Sequence, residues 1–214
     1  TLYILPVGNA TTLDIVVREG ERELVRSAPS YRTRVGERML ALVSNEPIAI
    51  TLPARQDLSI LPFLPFDLQV SDLPERSQGL ETLSAIVLHN VDSNQFTTSQ
   101  LEALETWVKR GGQLVLSGGT GSSAQIANLP SELVPAQIVG VRSDLPGEAL
   151  AELIGITNSV GLQLNGVGLQ AKSDSSILIG DEANPLVIEK RLGEGHIHQL
   201  AFAVDAPELR NWNQ

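Results

Sequence analysis

The sequence predicts an α/β fold: a doubly wound, mostly parallel sheet, preceded by a β-hairpin region and followed by an antiparallel β extension. Three observations carry this reading. Short, almost wholly apolar runs such as "RMLALVS" and "LSAIVLHNV" suit strands buried on both faces of a parallel sheet. Between Arg38 and Gly155 such runs alternate with helical stretches, the signature of right-handed βα units. After Gly155 the helical pattern gives way to β-prone segments joined by turn residues.

Taken in order, residues 1–37 form a β-rich segment that can be the end of a preceding β domain, and residues 38–214 form the α/β domain. "TLYILPVG" can supply a strand, and "LDIVVREGERELVRS" reads as a hairpin about Glu19-Gly20-Glu21. "RMLALVS" is the first strand of the α/β domain. "PARQDLSILPFL" is a poor helix, hemmed in by Pro53, Pro62 and Pro65. "FDLQVS" and "LSAIVLHNV" are the second and third strands. The helix in "FTTSQLEALETWVKRGG" carries the most complete set of signals. Thr97 suits the N-cap with Gln100 at capping-box spacing, Phe96 and Leu101 can form a hydrophobic staple, and Leu101, Leu104 and Val108 share one face. Lys109 and Arg110 oppose the helix dipole, and Gly111 suits a left-handed stop. "QLVLS" is the fourth strand, "SSAQIANL" a short helix, "AQIVGV" a fifth strand and "PGEALAELIGI" a further helix. "VGLQLNGVGLQ", "SSILIG", "PLVIEKRL" and "HIHQLAFAV" complete the β extension, with Leu192–Gly195 turning between the last two.

Composition narrows the function classes. The 214 residues include 15 basic and 25 acidic side chains, a net charge of −10, which argues against general nucleic-acid binding. Arg18, Arg22, Arg26, Arg32, Arg34 and Arg38 are interleaved with Glu19, Glu21, Glu23 and Glu37, so they read as a mixed solvated face. The absence of cysteine removes thiol nucleophiles, thiolate metal sites and disulfides. No apolar run is long enough to span a membrane as a helix. The start at Thr1, without an initiator Met or signal-peptide pattern, suggests a piece of a longer polypeptide.

The run "DLPERSQGLETLSAIVLHNVDSNQFTTSQLEALETWVKRGGQLVLSGG" resembles the core of class I glutamine amidotransferase-like domains. It is most similar to the version found in large, membrane-anchored bacterial proteins of unknown function. There a strand and short polar loop lead into a Leu-Thr-x-x-Gln helix, then Trp-Val, a glycine pair, an apolar strand and a Gly-Gly loop. The tail "NPLVIEKRLGEGHIHQLAFAVDAPELRNW" fits as well, through its Gly-x-Gly turn, Asp205 and the Pro207–Trp212 segment. The resemblance covers roughly residues 71–212. It implies a flavodoxin-like sheet, and an extracytoplasmic location with membrane attachment only through segments outside this chain. Trp212 would be an apolar anchor over the sheet edge.

In amidotransferases of this family a nucleophilic Cys follows the strand that "QLVLS" resembles. No Cys exists here, so glutamine hydrolysis by the family mechanism is excluded. Ser117 stands near the vacant position. His89, at the end of the neighbouring strand, is a candidate base, with Asp92 as the acid; the first glycine of a Gly-x-Ser-x-Gly elbow is absent. The loop Gly118, Gly119, Thr120, Gly121 and Ser122 is a candidate anion site. Gly119–Ala124 also matches the dinucleotide form Gly-x-Gly-x-x-Gly/Ala, but the following helix breaks at Pro130 and no Walker lysine is present. His196 and His198 share a strand face. Alternation with Ile197 favours an ordinary polar face, and a metal site would need Glu189 to face them across the hairpin. The expectation is therefore a non-catalytic structural or interaction module, without cofactor or nucleic acid, whose partners are proteins or neighbouring domains of the same polypeptide. The alternatives are a serine-dependent hydrolase and a small-molecule or anion binder at the strand ends.

Overall fold

A computed structural model describes residues 14–28, 38–46, 48, 63–153 and 161–210. The chain divides into two compact units at Glu37/Arg38. In the first, β1 (Ile15–Glu19) and β2 (Arg22–Ser27) form an antiparallel hairpin. Arg26 is paired there with Asp14 at 2.7 Å and Glu23 at 2.9 Å, so at this position the interleaved charges neutralise one another. The strand expected in "TLYILPVG" lies outside the described residues.

The second unit is built on a seven-stranded mixed sheet. Its strands are β3 (Arg38–Ser44), β4 (Phe63–Leu68), β5 (Leu83–His89), β6 (Gln113–Leu116), β9 (Ser176–Gly180), β10 (Pro185–Leu192) and β11 (Gly195–Leu200). Their order is β4-β3-β5-β6-β11-β10-β9; the first five are mutually parallel, β10 is antiparallel to β11, and β9 is antiparallel to β10. The sheet thus has α/β character with an antiparallel extension. On β3 and β5 successive residues are buried on opposite faces. Ala41, Val43, Ile86 and Leu88 pack into one core, and Leu40, Leu42, Ala85 and Val87 into another, which is why these strands read as unbroken apolar runs.

Helix α1 (Thr98–Lys109) covers the first of these faces through Leu104, Trp107 and Val108. Its signals are realised atom by atom. Thr97 Oγ1 accepts the Gln100 N–H, and Gln100 Oε1 accepts the Thr97 N–H at 2.9 Å; Gly111 turns out of the helix with φ +111°. Gln100 does more than cap. Its buried amide also donates to the carbonyls of Val70 and Leu73, each at 2.9 Å, and so fastens the β4–β5 connection to the helix.

Three sequence expectations change. The second strand takes in Phe66, Asp67 and Leu68 of "FDLQVS" but starts and ends three residues earlier: β4 runs from Phe63 to Leu68 and contains Pro65. Among the described residues it is an edge strand paired only with β3, where a residue without an N–H is tolerated. The helix expected in "PARQDLSILPFL" falls mostly outside the described residues, and its last two residues open β4. "AQIVGV" does not join the main sheet. It begins β7 (Ala136–Pro146), which pairs antiparallel with β8 (Gln163–Ala171) in a separate ribbon. Val139 and Val141 are exposed, so this strand lacks the two buried faces that a central parallel strand needs. The place beside β6 is taken by β11. The remaining helices are short: α2 (Ser122–Ile126), α3 (Glu148–Leu153) and α4 (Pro207–Arg210).

Gln100→Leu keeps the bulk of the side chain, strips the Leu73 carbonyl and the Thr97 N–H of their partner, and leaves the Val70 carbonyl only the Leu73 N–H. It is expected to destabilise the protein by about 2–4 kcal/mol in urea unfolding, against about 1 kcal/mol for Thr97→Ala.

Candidate functional site

The carboxyl ends of β3, β5 and β6 converge where open α/β sheets commonly bind ligands. From β3 the chain runs outward to β4 and from β5 it runs the other way to β6, so the switch in direction lies between Ser44 and His89, which are register partners. His89 ends β5 and Ser117 follows β6 directly. Ser117 Oγ lies 2.8 Å from His89 Nδ1, so these two candidates are brought together. Asp92 is not part of the arrangement. Its carboxylate accepts from the Asn94 N–H at 2.9 Å and the Asn94 side-chain amide at 2.8 Å, capping a 3-10 turn over Ser93–Gln95. The carboxylate near the imidazole is Asp205, whose Oδ1 stands 3.5 Å from His89 Nε2. Asp205 is 116 residues along the chain from His89, so local spacing gives no sign of the contact; only the position of β11 beside β6 creates it.

Burial pushes the pKa of His89 below its ordinary value, and the nearby Asp205 carboxylate offsets this only in part. The imidazole is therefore neutral at pH 7. The tautomer that satisfies both neighbours has Nε2–H directed at Asp205 and Nδ1 accepting the Ser117 hydroxyl. Ser117 Oγ in turn accepts the Val204 N–H at 3.1 Å. One buried hydroxyl, 2% exposed as a residue, thus joins the end of β5, the end of β6 and the segment after β11.

The backbone around Ser117 continues the sheet. Ser117 N–H donates to Leu88 O and Gly118 N–H donates to Phe202 O, both at 2.9 Å. A Cβ on Gly118 would lie 2.4 Å from the carbonyl carbon of Ala201, so the two chains are in close backbone contact. Among the described non-glycine residues only Asn90 has positive φ. The left-handed turn comes at Gly119, φ +105°, two residues beyond the serine. A nucleophile elbow places its sharp turn at the serine and frees the next N–H for an oxyanion. Here neither condition holds.

The remaining candidates fall as follows. In the glycine loop, Ser122 Oγ donates to Gly119 O at 2.7 Å and Ser122 N–H donates to the same carbonyl at 3.2 Å. The Asn90 amide fills the space over Gly121, where a Cβ would lie 1.8 Å from Asn90 Oδ1. The loop is thus closed on itself and on Asn90, and the helix after it has five residues. His196 and His198 lie away from Ser117 on β11, facing Glu189 across the hairpin. His196 Nδ1 is 2.7 Å from Glu189 Oε1. Burial lowers the pKa of His198, with Glu189 opposing the shift and His196 adding to it. Trp107 is buried in the helix–sheet core, and Trp212 lies outside the described residues.

No family model and no curated protein matches the chain. Solved structures do. A cytoplasmic protein from Salmonella typhimurium LT2 is 17% identical at TM-score 0.56, covering 78% of this chain and 88% of its own. A second cytoplasmic protein from Salmonella typhimurium is 13% identical at TM-score 0.50, covering 94% and 93%. At such identities the likeness concerns the fold. A weaker match at TM-score 0.49 and 17% identity is an exo-β-1,4-mannosidase from an Opitutaceae bacterium; it covers 84% of this chain and 33% of the enzyme.

Ser117→Ala is expected to cost about 1–3 kcal/mol in chemical unfolding, because it strips the half-buried Val204 N–H of its acceptor and His89 Nδ1 of its partner. The pH dependence has a definite sign. The unfolded chain titrates His89 near 6.5 and the folded chain at a lower pH, so between the two values the unfolded state binds more protons. The stability contributed by neutral His89 is complete above pH 6.5 and is lost as pH falls through the folded-state value. His89→Asn should flatten that limb of the stability–pH curve.

Proposed function

We propose that this chain is a non-catalytic module of flavodoxin-like, amidotransferase-like type, serving structure or interaction within a larger membrane-tethered bacterial protein on the extracytoplasmic side. The observation that carries the non-catalytic reading is the hydrogen bond from Gly118 N–H to Phe202 O at 2.9 Å. The donor that would stabilise an oxyanion is already committed to the sheet, and the serine beside it is buried and bonded on both sides. The absence of cysteine removes the family's own nucleophile. The assignment to the amidotransferase-like group, the membrane tether and the location rest on the sequence resemblance. Interaction with a protein neighbour is supported by apolar side chains left in solvent: Val139 and Val141 on β7, 61% and 76% exposed, and Leu178 on the edge strand β9, 53% exposed.

A second reading has a specific observation in its favour. Ser117, His89 and Asp205 stand in the serial order of a serine hydrolase triad, with contacts of 2.8 and 3.5 Å. The ring is turned so that Nδ1, not Nε2, meets the serine, the reverse of the serine-protease arrangement. A neutral imidazole accepts a proton at either nitrogen, so the oxyanion donor is what separates the two readings.

Incubation with a fluorophosphonate probe, followed by intact-mass analysis, distinguishes them. The module reading predicts an unmodified mass for both the native protein and Ser117→Ala. A single phosphonyl adduct on the native protein that disappears in Ser117→Ala would establish the hydrolase reading in its place.

A further inference from the structure

Glu189, His196 and His198 occupy the same side of the β10–β11 hairpin, and neither the core nor the Ser117 cluster uses them. Glu189 and His198 are direct cross-strand partners, and His196 is two residues from His198. Both imidazoles turn Nδ1 toward a single carboxylate oxygen: Glu189 Oε1 is 2.7 Å from His196 Nδ1 and 4.0 Å from His198 Nδ1. We propose that these three side chains form a binding site for a divalent transition metal of the zinc class.

The side chains as they stand do not surround one point. The two imidazole planes are stacked, 8° from parallel with centroids 6.2 Å apart, and among the described residues no trio of potential ligands is already gathered. With metal–ligand bonds near 2.1 Å, tetrahedral geometry sets ligand atoms about 3.4 Å apart. The two observed Nδ1–Oε1 distances, 2.7 and 4.0 Å, fall on either side of that value. Binding therefore requires Glu189 and one ring to rotate about their side-chain bonds until all three donors share a centre. The metal then takes the place of the proton shared by His196 Nδ1 and Glu189, and that proton leaves to solvent.

The surroundings suit this exchange. His198 Nε2 lies 3.4 Å from Gln113 Oε1; donation there keeps the proton on Nε2 and leaves the Nδ1 lone pair facing Glu189, the supporting role played by partners of ligating histidines. The three side chains are partly exposed, at 35%, 22% and 26%, so an ion can enter and a fourth ligand can come from water. Arg191, the cross-strand partner of His196, turns its guanidinium back to Gly193 O at 3.0 Å. The set of two imidazoles and one carboxylate matches zinc and its neighbours better than magnesium or calcium, which take oxygen ligands.

The chain has three histidines and no cysteine, so nitrogen-ligated binding can be assigned by substitution. Zn2+ titrated calorimetrically into the protein, with excess Mg2+ to occupy ordinary carboxylates, is expected to bind at one ion per chain. His196→Gln and His198→Gln should each weaken it by at least about tenfold, and Gln113→Leu by on the order of tenfold. Circular dichroism confirms that the variants remain folded. As an independent readout, the Cu2+ paramagnetic resonance spectrum should show coupling to two imidazole nitrogens in the native protein and one in either histidine variant. Absence of saturable Zn2+ binding, or binding and spectra unchanged in both histidine variants, would overturn the assignment.

Discussion

The hydrogen bond from Gly118 N–H to Phe202 O extends the pairing of β6 with the β11 chain past the point where a nucleophile elbow would turn away. Because the two backbones remain in contact there, Ser117 is drawn into the sheet edge with extended neighbours instead of being displayed on a bend. The same contact brings Val204 over the serine hydroxyl and Asp205 within 3.5 Å of His89. Three strand ends distant in sequence are thus locked together, and the position a nucleophile would occupy becomes a structural junction. The triad-like contacts follow from that junction. A buried hydroxyl, an imidazole and a carboxylate at adjacent strand ends satisfy one another because each would otherwise be left without a partner in a poorly hydrated place.

Much of the α/β frame was legible in the sequence because its signals are local. The Thr97–Gln100 cap, the apolar face of α1 and the Gly111 stop act within a few residues, and each is found in place. The buried strands β3 and β5 announced themselves through continuous apolar runs. The failures lie where tertiary context decides. "AQIVGV" has the composition of a strand and forms one, but composition does not say which sheet a strand joins. Val139 and Val141 look like core residues in the sequence and are solvent-facing in the ribbon. Pro65 read as one of the prolines bounding a poor helix, yet it lies within an edge strand, which accommodates it.

The candidate site was half legible. Adjacent parallel strands bring their carboxyl ends together, so the pairing of His89 with Ser117 follows from topology once the strands are identified. The acid did not follow. Asp92 is close in sequence but capped into its own turn, while Asp205 lies in the turn that follows β11, far along the chain. Likewise the facing of Glu189 with His198 depends on the register of β10 against β11, and a shift of one residue would have placed Lys190 opposite the histidine.

The account stands on the claim that the Gly118 N–H belongs to the sheet. Amide hydrogen exchange at Gly118, measured residue by residue under native conditions, tests it most directly. Protection comparable to that of the buried β6 residues Leu114 and Leu116 is the predicted result. Exchange at the rate of an open loop would mean that this donor is available to a bound oxyanion, and would contradict the reading of Ser117 as a structural junction.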